Sequence, residues 1–322
     1  MNLSIAMATF NGVEYIDEQL ASLLRQTLLP DELIICDDGS TDGTLDRIHA
    51  FQKIAPFSIK LFNNCITLGY AQNFAKAISL CSGDIIFLCD QDDYWYHEKI
   101  RKIKDIFQSS NNTHVVINDT NICDGKLNML GFSKLNQIYS LGLSETSFVT
   151  GCCSAFRRTI VPLILPIPQE EYAHDTWLHD ISNRLKMRKV CHEILQDYRR
   201  HQSNTSQWIG SSTTKVNSFS LIKEYRNIDT RDWCHVRLKK YDLLADRIRT
   251  AGLDTLNQYN LGYRVEQALL GIEKEKLAVY GRLSILKMPR VLRLLPTTLF
   301  FLRGRYKYFS GWKSFLKDIL QN

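Results

Sequence analysis

Ile85-Ile86-Phe87-Leu88-Cys89, followed at once by Asp90-Gln91-Asp92-Asp93, is the stretch on which the reading of this chain turns. Five residues without a polar group predict a buried strand, parallel and covered on both faces. Three carboxylates then arrive at its C-terminal end, where open α/β sheets bind their ligands. Side chains alternate along extended backbone, so Asp90 and Asp92 are expected to point to one side and Asp93 to the other. Two convergent carboxylates repel each other unless a cation lies between them. A hard divalent ion with oxygen ligands, Mg²⁺ or Mn²⁺, suits such a pair and also holds substrate phosphates. The bland alternative is a solvated acidic turn.

Upstream, strand and helix alternate. Strands are expected at Leu3–Ala8, Leu33–Cys36, Ile59–Phe62 and Asp84–Cys89, with helices at Tyr15–Gln26 and Ala71–Cys81 and one between Asp42 and Phe51 capped by Ser40 or Asp42. This βαβα rhythm implies a doubly wound parallel sheet. Downstream the pattern is less regular, with strands expected near Val115–Asn118 and Val190–Ile194 and helices at Arg158–Leu165 and Thr176–Lys186. Beyond Lys215 the chain reads as helical, over Leu221–Asn227, Trp233–Thr250 and Leu256–Leu286.

The 322 residues suit one large domain with an appendage, or two domains, and 44% hydrophobic with 23% charged residues is ordinary for a globular chain. No secretory signal is expected, since a strand begins at Leu3, and no apolar run approaches a membrane span. Nine scattered cysteines without a C-x-x-C pair argue against both a disulfide framework and a zinc site, and fit a reducing cytosol. The net charge of +6 is concentrated at the C-terminus, where residues 287–322 hold eight lysines and arginines against one acid, Asp318.

A doubly wound half suggests a nucleotide, yet neither G-x-G-x-x-G nor G-x-x-x-x-G-K-[ST] is present, which disfavours a dinucleotide oxidoreductase or a P-loop ATPase. Asp37 and Asp38 end the second strand. Either accepts a hydrogen bond from a base or ribose, or caps the next helix through an Asx turn, with the ligand role favoured for Asp38.

Thr9-Phe10-Asn11-Gly12, Cys36-Asp37-Asp38-Gly39-Ser40-Thr41-Asp42, Gly83-Asp84 and Asp90-Gln91-Asp92-Asp93 resemble, in order and spacing, the family 2 glycosyltransferases of GT-A fold. The resemblance covers about the first 200 residues. Tyr94-Trp95, Lys99-Ile100 and Asn73-Phe74 are similar to the branch of bacterial rhamnosyltransferases that assemble surface polysaccharides such as O-antigen and capsule. It implies a GT-A catalytic domain over 1–212, divided into a nucleotide-sugar half (about 1–100) and an acceptor half (about 101–212), and a helical C-terminal region over 213–322.

The resemblance also implies roles. Asp38 would recognise the base, with Thr9, Asn11, Asn73 and Gln91 lining the nucleotide-sugar pocket. Asp90 would contact ribose or metal, and Asp92 would be the main ligand of Mg²⁺ or Mn²⁺. Ala173-His174-Asp175-Thr176-Trp177-Leu178 matches the family's base motif, although many relatives carry glutamate at the position of His174. Asp175 would take the proton from the attacking hydroxyl; the alternative is a helix N-cap. Thr150 to Arg158 resembles the acceptor-side segment, with Gly151, Cys152 and Trp177 facing the acceptor. Tyr198-Arg199-Arg200-His201 resembles an element near the diphosphate, so Arg199 and Arg200 would offset phosphate charge and His201 would complete the metal shell. The Gln-x-x-Arg-Trp motif of processive members is absent in strict form.

The basic tail interleaves cations with bulky apolar residues, as in Arg290-Val291-Leu292-Arg293-Leu294-Leu295 and Trp312-Lys313-Ser314-Phe315-Leu316-Lys317. It reads as an interfacial segment on an anionic membrane surface, with packing on the catalytic domain as the alternative. No nucleic-acid motif accompanies it. The expected function is therefore inverting, metal-dependent transfer of one sugar to a hydroxyl of a lipid-linked oligosaccharide, on the cytoplasmic face of the inner membrane. dTDP-rhamnose is the first expected donor. A UDP-hexose donor, or a non-catalytic nucleotide-sugar-binding relic, is the alternative.

Overall fold

The computed structural model describes residues 1–169, 173–202, 204, 208–218, 220, 229–259 and 261–320. The chain divides into two compact units, Met1–Asn217 and Ser218–Asn322. The helix expected at Leu221–Asn227 lies outside the described residues.

The first unit is built on one mixed sheet. Strands β1 (Leu3–Thr9), β2 (Glu32–Asp37), β3 (Ser58–Asn63) and β4 (Ile85–Cys89) are all parallel, in the order β3-β2-β1-β4. β4 is central, and all five of its residues are buried, as its apolar run requires. Edge strand β3 instead alternates in burial. Helices α1 (Ile16–Leu24), α2 (Thr44–Gln52) and α3 (Tyr70–Leu80) cross between these strands. They bury Ile16, Leu20 and Leu23, then Ile48 and Phe51, then Phe74, Ala77 and Ile78.

Beyond the motif the sheet changes character. Of the remaining elements, β5 (Tyr94–Trp95), α4 (Lys99–Ser109), β6 (Val115–Cys123), β7 (Met129–Ser133), α5 (Lys134–Ser140), β8 (Ser154–Arg157), α6 (Val161–Ile164), α7 (His174–Arg184) and β9 (Arg188–Arg199), the short β8 lies antiparallel between β4 and β6. β6 and β9 are parallel to each other, and β5 closes the order antiparallel to β9. The sheet is thus parallel over β1–β4 and mixed beyond them.

Two expected boundaries move for physical reasons. β6 and β9 run several residues past their apolar stretches because their polar residues are bonded across the pair: buried Thr120 Oγ1 donates to Gln196 O at 2.9 Å, and half-buried Asn121 Nδ2 to Asp197 Oδ1 at 3.1 Å. The helix expected at Arg158–Leu165 shrinks to a 3₁₀ turn and the single turn α6, which carries a proline at 162 in its first turn and is followed by the proline at 166.

The second unit contains α8 (Thr230–Asn257), α9 (Tyr263–Leu286), α10 (Arg290–Leu302) and α11 (Trp312–Leu320) among its described residues. α8 runs through Gly252, where a break is expected at Thr250; a Cβ there would lie 3.1 Å from Val265, so the glycine allows close helix packing. Asp318 fastens α11 to α9: it accepts two hydrogen bonds from Arg282 at 2.8 Å and one from the Tyr306 hydroxyl at 2.7 Å. No described helix is long and apolar enough to cross a membrane.

Candidate active site

Carboxylates gather where β1, β2 and β4 end. The chain leaves extended geometry after Cys89, so the alternation expected of the acidic motif does not hold. Asp93 turns inward rather than away. Among the described residues, Asp90, Asp93 and Cys152 offer ligand atoms within 4.8 Å of one another. Asp92 diverges from this group: its carboxylate meets His201 Nε2 at 2.8 Å and Asn204 Nδ2 at 3.3 Å. Of the trio expected to hold metal, Asp92 and His201 pair with each other, while Asp90 sits with Asp93, near enough to Asp92 for its charge to act on both.

The electrostatics are unbalanced. Burial, followed by the charges of Asp92, Asp93 and Asp175, pushes the Asp90 carboxyl well above its ordinary range. Burial and Asp92 raise Asp93 to about 7, although it accepts from Arg199 N and Gln196 Nε2, each at 3.1 Å. Oxygen donors carrying uncompensated negative charge fit a hard divalent cation. The Cys152 thiol, pushed up by burial, does not suit that ion as a ligand.

Asp175 stands in the first turn of α7, its Oδ1 accepting from Thr176 N at 2.6 Å. The helix is capped from Ala173, so Asp175 is not the N-cap residue. Its charge acts on Asp90, Tyr70 and Lys134, so it lies in the neighbourhood of the acidic motif. His174 beside it is buried, stacked on Phe74 at 4.1 Å between ring centroids, and its Nε2 lies 2.3 Å from where a Cβ on Gly151 would stand. Only glycine at 151 accommodates that ring.

The second strand ends in two aspartates with different partners. Asp37 accepts from Thr9 Oγ1 (2.7 Å), Ser40 N (2.7 Å) and Ser40 Oγ (2.6 Å), which is the turn-forming alternative. Asp38 accepts from Asn64 Nδ2 (2.8 Å), Leu68 N (2.8 Å) and Gly69 N (2.9 Å), tying down the loop before α3. Three bonds leave a carboxylate further acceptor capacity. Asn11, at φ 45°, accepts from Thr41 N at 2.9 Å and stays exposed. Gln91 braces the β1–α1 loop, accepting from Phe10 N at 2.9 Å and donating to Phe10 O at 3.0 Å.

Five expected contacts need correction, each for the same reason: the side chain is buried with its polar atoms occupied. Thr9 donates to Asp37. Asn73 donates to Cys36 O at 2.8 Å and accepts from Asn64. Cys152 is buried beside Asp90 and Asp93, its thiol accepting from Gln196 Nε2 at 3.3 Å. Trp177 is a core residue whose indole donates to Ile164 O at 3.0 Å. Arg199 is 2% exposed, donates to Asp92 O (2.6 Å) and Gly125 O (2.7 Å), and pairs with Glu18. It braces the acidic motif and does not face a diphosphate. Half-buried Arg200 donates to the Tyr198 hydroxyl at 3.2 Å.

Lys134 escapes sequence reasoning altogether. It is buried, donates to Ser211 Oγ, and lies 5.3 and 5.2 Å from the ring centroids of Tyr198 and Trp208. Burial lowers its pKa to about 8. No periodicity marks it, because a lysine heading a short helix reads as a surface charge.

Comparison with known proteins gives a consistent picture. The model of Glycosyl transferase family 2 matches residues 4–164. An uncharacterized glycosyltransferase of Nostoc sp. is 26% identical over 226 residues, covering 67% of this chain and 70% of that protein. The dTDP-rhamnosyl transferase RfbG of Shigella flexneri is 38% identical over 111 residues, 33% of this chain and 38% of RfbG, well under two thirds of its length. Among solved structures, S. aureus TarS 1–349 in complex with UDP-GlcNAc superposes with a TM-score of 0.59 at 15% identity, over 99% of this chain and 89% of that one. A mannosyltransferase of Pyrobaculum calidifontis in complex with GDP-Man and Mn²⁺ gives 0.51 at 14% identity, over 99% and 85%. At these identities the structures speak to the fold.

Proposed function

The chain belongs to glycosyltransferase family 2, with a GT-A sheet and a helical C-terminal region, and on that premise we propose that it is an inverting, metal-dependent transferase of a single sugar. The observation that supports this reading is the nearness of two carboxylate sets, the acidic motif after β4 and Asp175 on α7, close enough for the charge of Asp175 to act on Asp90.

The donor is a nucleoside-diphosphate sugar, first dTDP-rhamnose and next a UDP-hexose. RfbG, by its name a dTDP-rhamnosyl transferase, supports the first choice. Asp38 accepts from the base, on a carboxylate already oriented by Asn64 and the Leu68 and Gly69 amides. Gln91 and Asn11 hold the loop over the nucleotide, and Thr9 and Asn73 act through Asp37 and Asn64. Arg200 stands nearest to the diphosphate role. Asp90, Asp92 and Asp93 would hold Mg²⁺ or Mn²⁺, with His201 orienting Asp92. A bound cation there supplies electrophilic assistance to the departing diphosphate.

Asp175 takes the proton of the acceptor hydroxyl as its oxygen bonds to the anomeric carbon. The bond from that carbon to the phosphate oxygen breaks on the opposite face, and its electron pair leaves with the diphosphate. The acceptor is a hydroxyl of a lipid-linked oligosaccharide, which sets the enzyme on the cytoplasmic face of the inner membrane, against an anionic surface.

The experiment is nucleoside-diphosphate release by the full chain from a panel of dTDP-, UDP- and GDP-sugars with Mn²⁺ or Mg²⁺, beside Asp92→Asn. Metal-dependent turnover of one donor, lost in the variant, supports the proposal. No turnover together with no donor binding by calorimetry sinks it in favour of a relic.

A further inference from the structure

Helix α10 is inside out. The two residues it buries are polar, Arg293 and Thr297, and Arg293 donates to the carbonyls of Met288 at 2.8 Å and Leu286 at 3.1 Å. The residues it exposes are apolar: Val291 (87%), Leu302 (74%) and Leu295 (69%), with Leu292, Leu294 and Leu299 beside them. At 3.6 residues per turn these six occupy one arc of about 160°. A contiguous apolar face of this kind marks a surface that meets something other than water.

The charges at its ends select the partner. Exposed Lys287 and Arg290 stand at one end, and exposed Arg303, Arg305 and Lys307 at the other. The sole acid from residue 287 onward, Asp318, is buried against Arg282. Pairing this face with a second copy would set cations against cations whichever way the helices ran, because both ends carry the same sign. A bilayer with anionic headgroups satisfies both the apolar face and the two cationic ends. Thirteen residues make about 20 Å of helix, short of the ~30 Å hydrocarbon core, so the helix lies in the interface plane.

We propose that α10 is an interfacial helix whose leucine face enters the headgroup–acyl boundary of an anionic membrane while its cationic ends sit on lipid phosphates. This deepens the membrane placement in the proposed function. It differs from adsorption of the whole 287–322 tail: one helix inserts, and α11 is held by Asp318, adding Trp312 and Leu316 to the exposed apolar surface.

The test is co-sedimentation of the full chain with phosphatidylcholine vesicles, with and without phosphatidylglycerol, at low and high salt. The wild type should sediment with the anionic vesicles. Leu292→Ser/Leu295→Ser/Leu302→Ser should lose at least tenfold in affinity with its gel-filtration volume and melting curve unchanged. Lys287→Gln/Arg303→Gln/Arg305→Gln should lose about fivefold per charge, and the loss should shrink as salt rises. Wild-type protein left in the supernatant with both vesicle types overturns the proposal. So does a leucine variant that converts a dimer to a monomer. Donor binding by calorimetry on the same samples reports separately on the transferase reading, so either can fail without the other.

Discussion

Replacing Glu32 with glutamine should destabilise the first unit at neutral pH and leave it unchanged in acid. Glu32 opens β2 and is buried; its Oε1 accepts from Ser4 Oγ (2.7 Å), Ser82 N (2.6 Å) and Ser82 Oγ (2.8 Å), and Oε2 from Lys60 Nζ (3.0 Å). Burial by itself would raise this carboxyl, but the Ser4 and Ser82 bonds, with Lys60, outweigh it and hold the pKa at about 2 against an ordinary 4.5. At 1.36 kcal/mol per unit, that difference is about 3 kcal/mol favouring the fold. Lys60 is half exposed and adds little of it. A folded-state pKa below the unfolded one means the stabilisation is complete above 4.5 and disappears as pH falls through 2. Thermal melts of both proteins should differ by about 6–12 °C at pH 7, taking roughly 2–4 °C per kcal/mol for a unit of this size. The gap should narrow below pH 4.5 and close near pH 2. A gap that is constant from pH 7 to 3, or none at pH 7, would refute the reasoning.

Gly151→Ala would set a Cβ 2.3 Å from His174 Nε2, and the ring, stacked on Phe74, has to move Asp175 with it. Steady-state kinetics should show kcat reduced by an order of magnitude or more, with donor affinity by calorimetry unchanged. Lys134, with its pKa lowered to about 8, is charged in both states at pH 7 and costs the fold there; as pH rises from 8 toward 10.5 that cost is relieved. Urea unfolding of Lys134→Met should therefore lack the rise in stability that the wild type shows over that window. Asp318→Asn leaves the buried Arg282 guanidinium without its counter-ion, and unfolding of the second unit should become easier by about 3–5 kcal/mol.

The parallel half of the sheet was legible because its strands are short apolar runs separated by amphipathic helices, and because β4 is buried on both faces. The mixed half was less so: β6 and β9 carry buried polar residues whose partners are distant in sequence, such as Thr120 with Gln196. At the site, residue types and order were readable, but side-chain direction was not. Asp93 turns inward because the chain bends after Cys89, and Arg199 folds back on Asp92 and Glu18 instead of facing a ligand. Lys134 needed the fold, since nothing local says that Tyr198 and Trp208 will enclose it.

The central claim is that Asp175 removes the proton of the acceptor hydroxyl. The measurement that tests it most directly is sugar transfer by Asp175→Asn, set beside donor binding by calorimetry on the same protein. General-base catalysis contributes roughly 10²–10⁴-fold. Donor affinity equal to the wild type, with transfer reduced within that range, is the predicted result. Transfer at the wild-type rate would contradict the account.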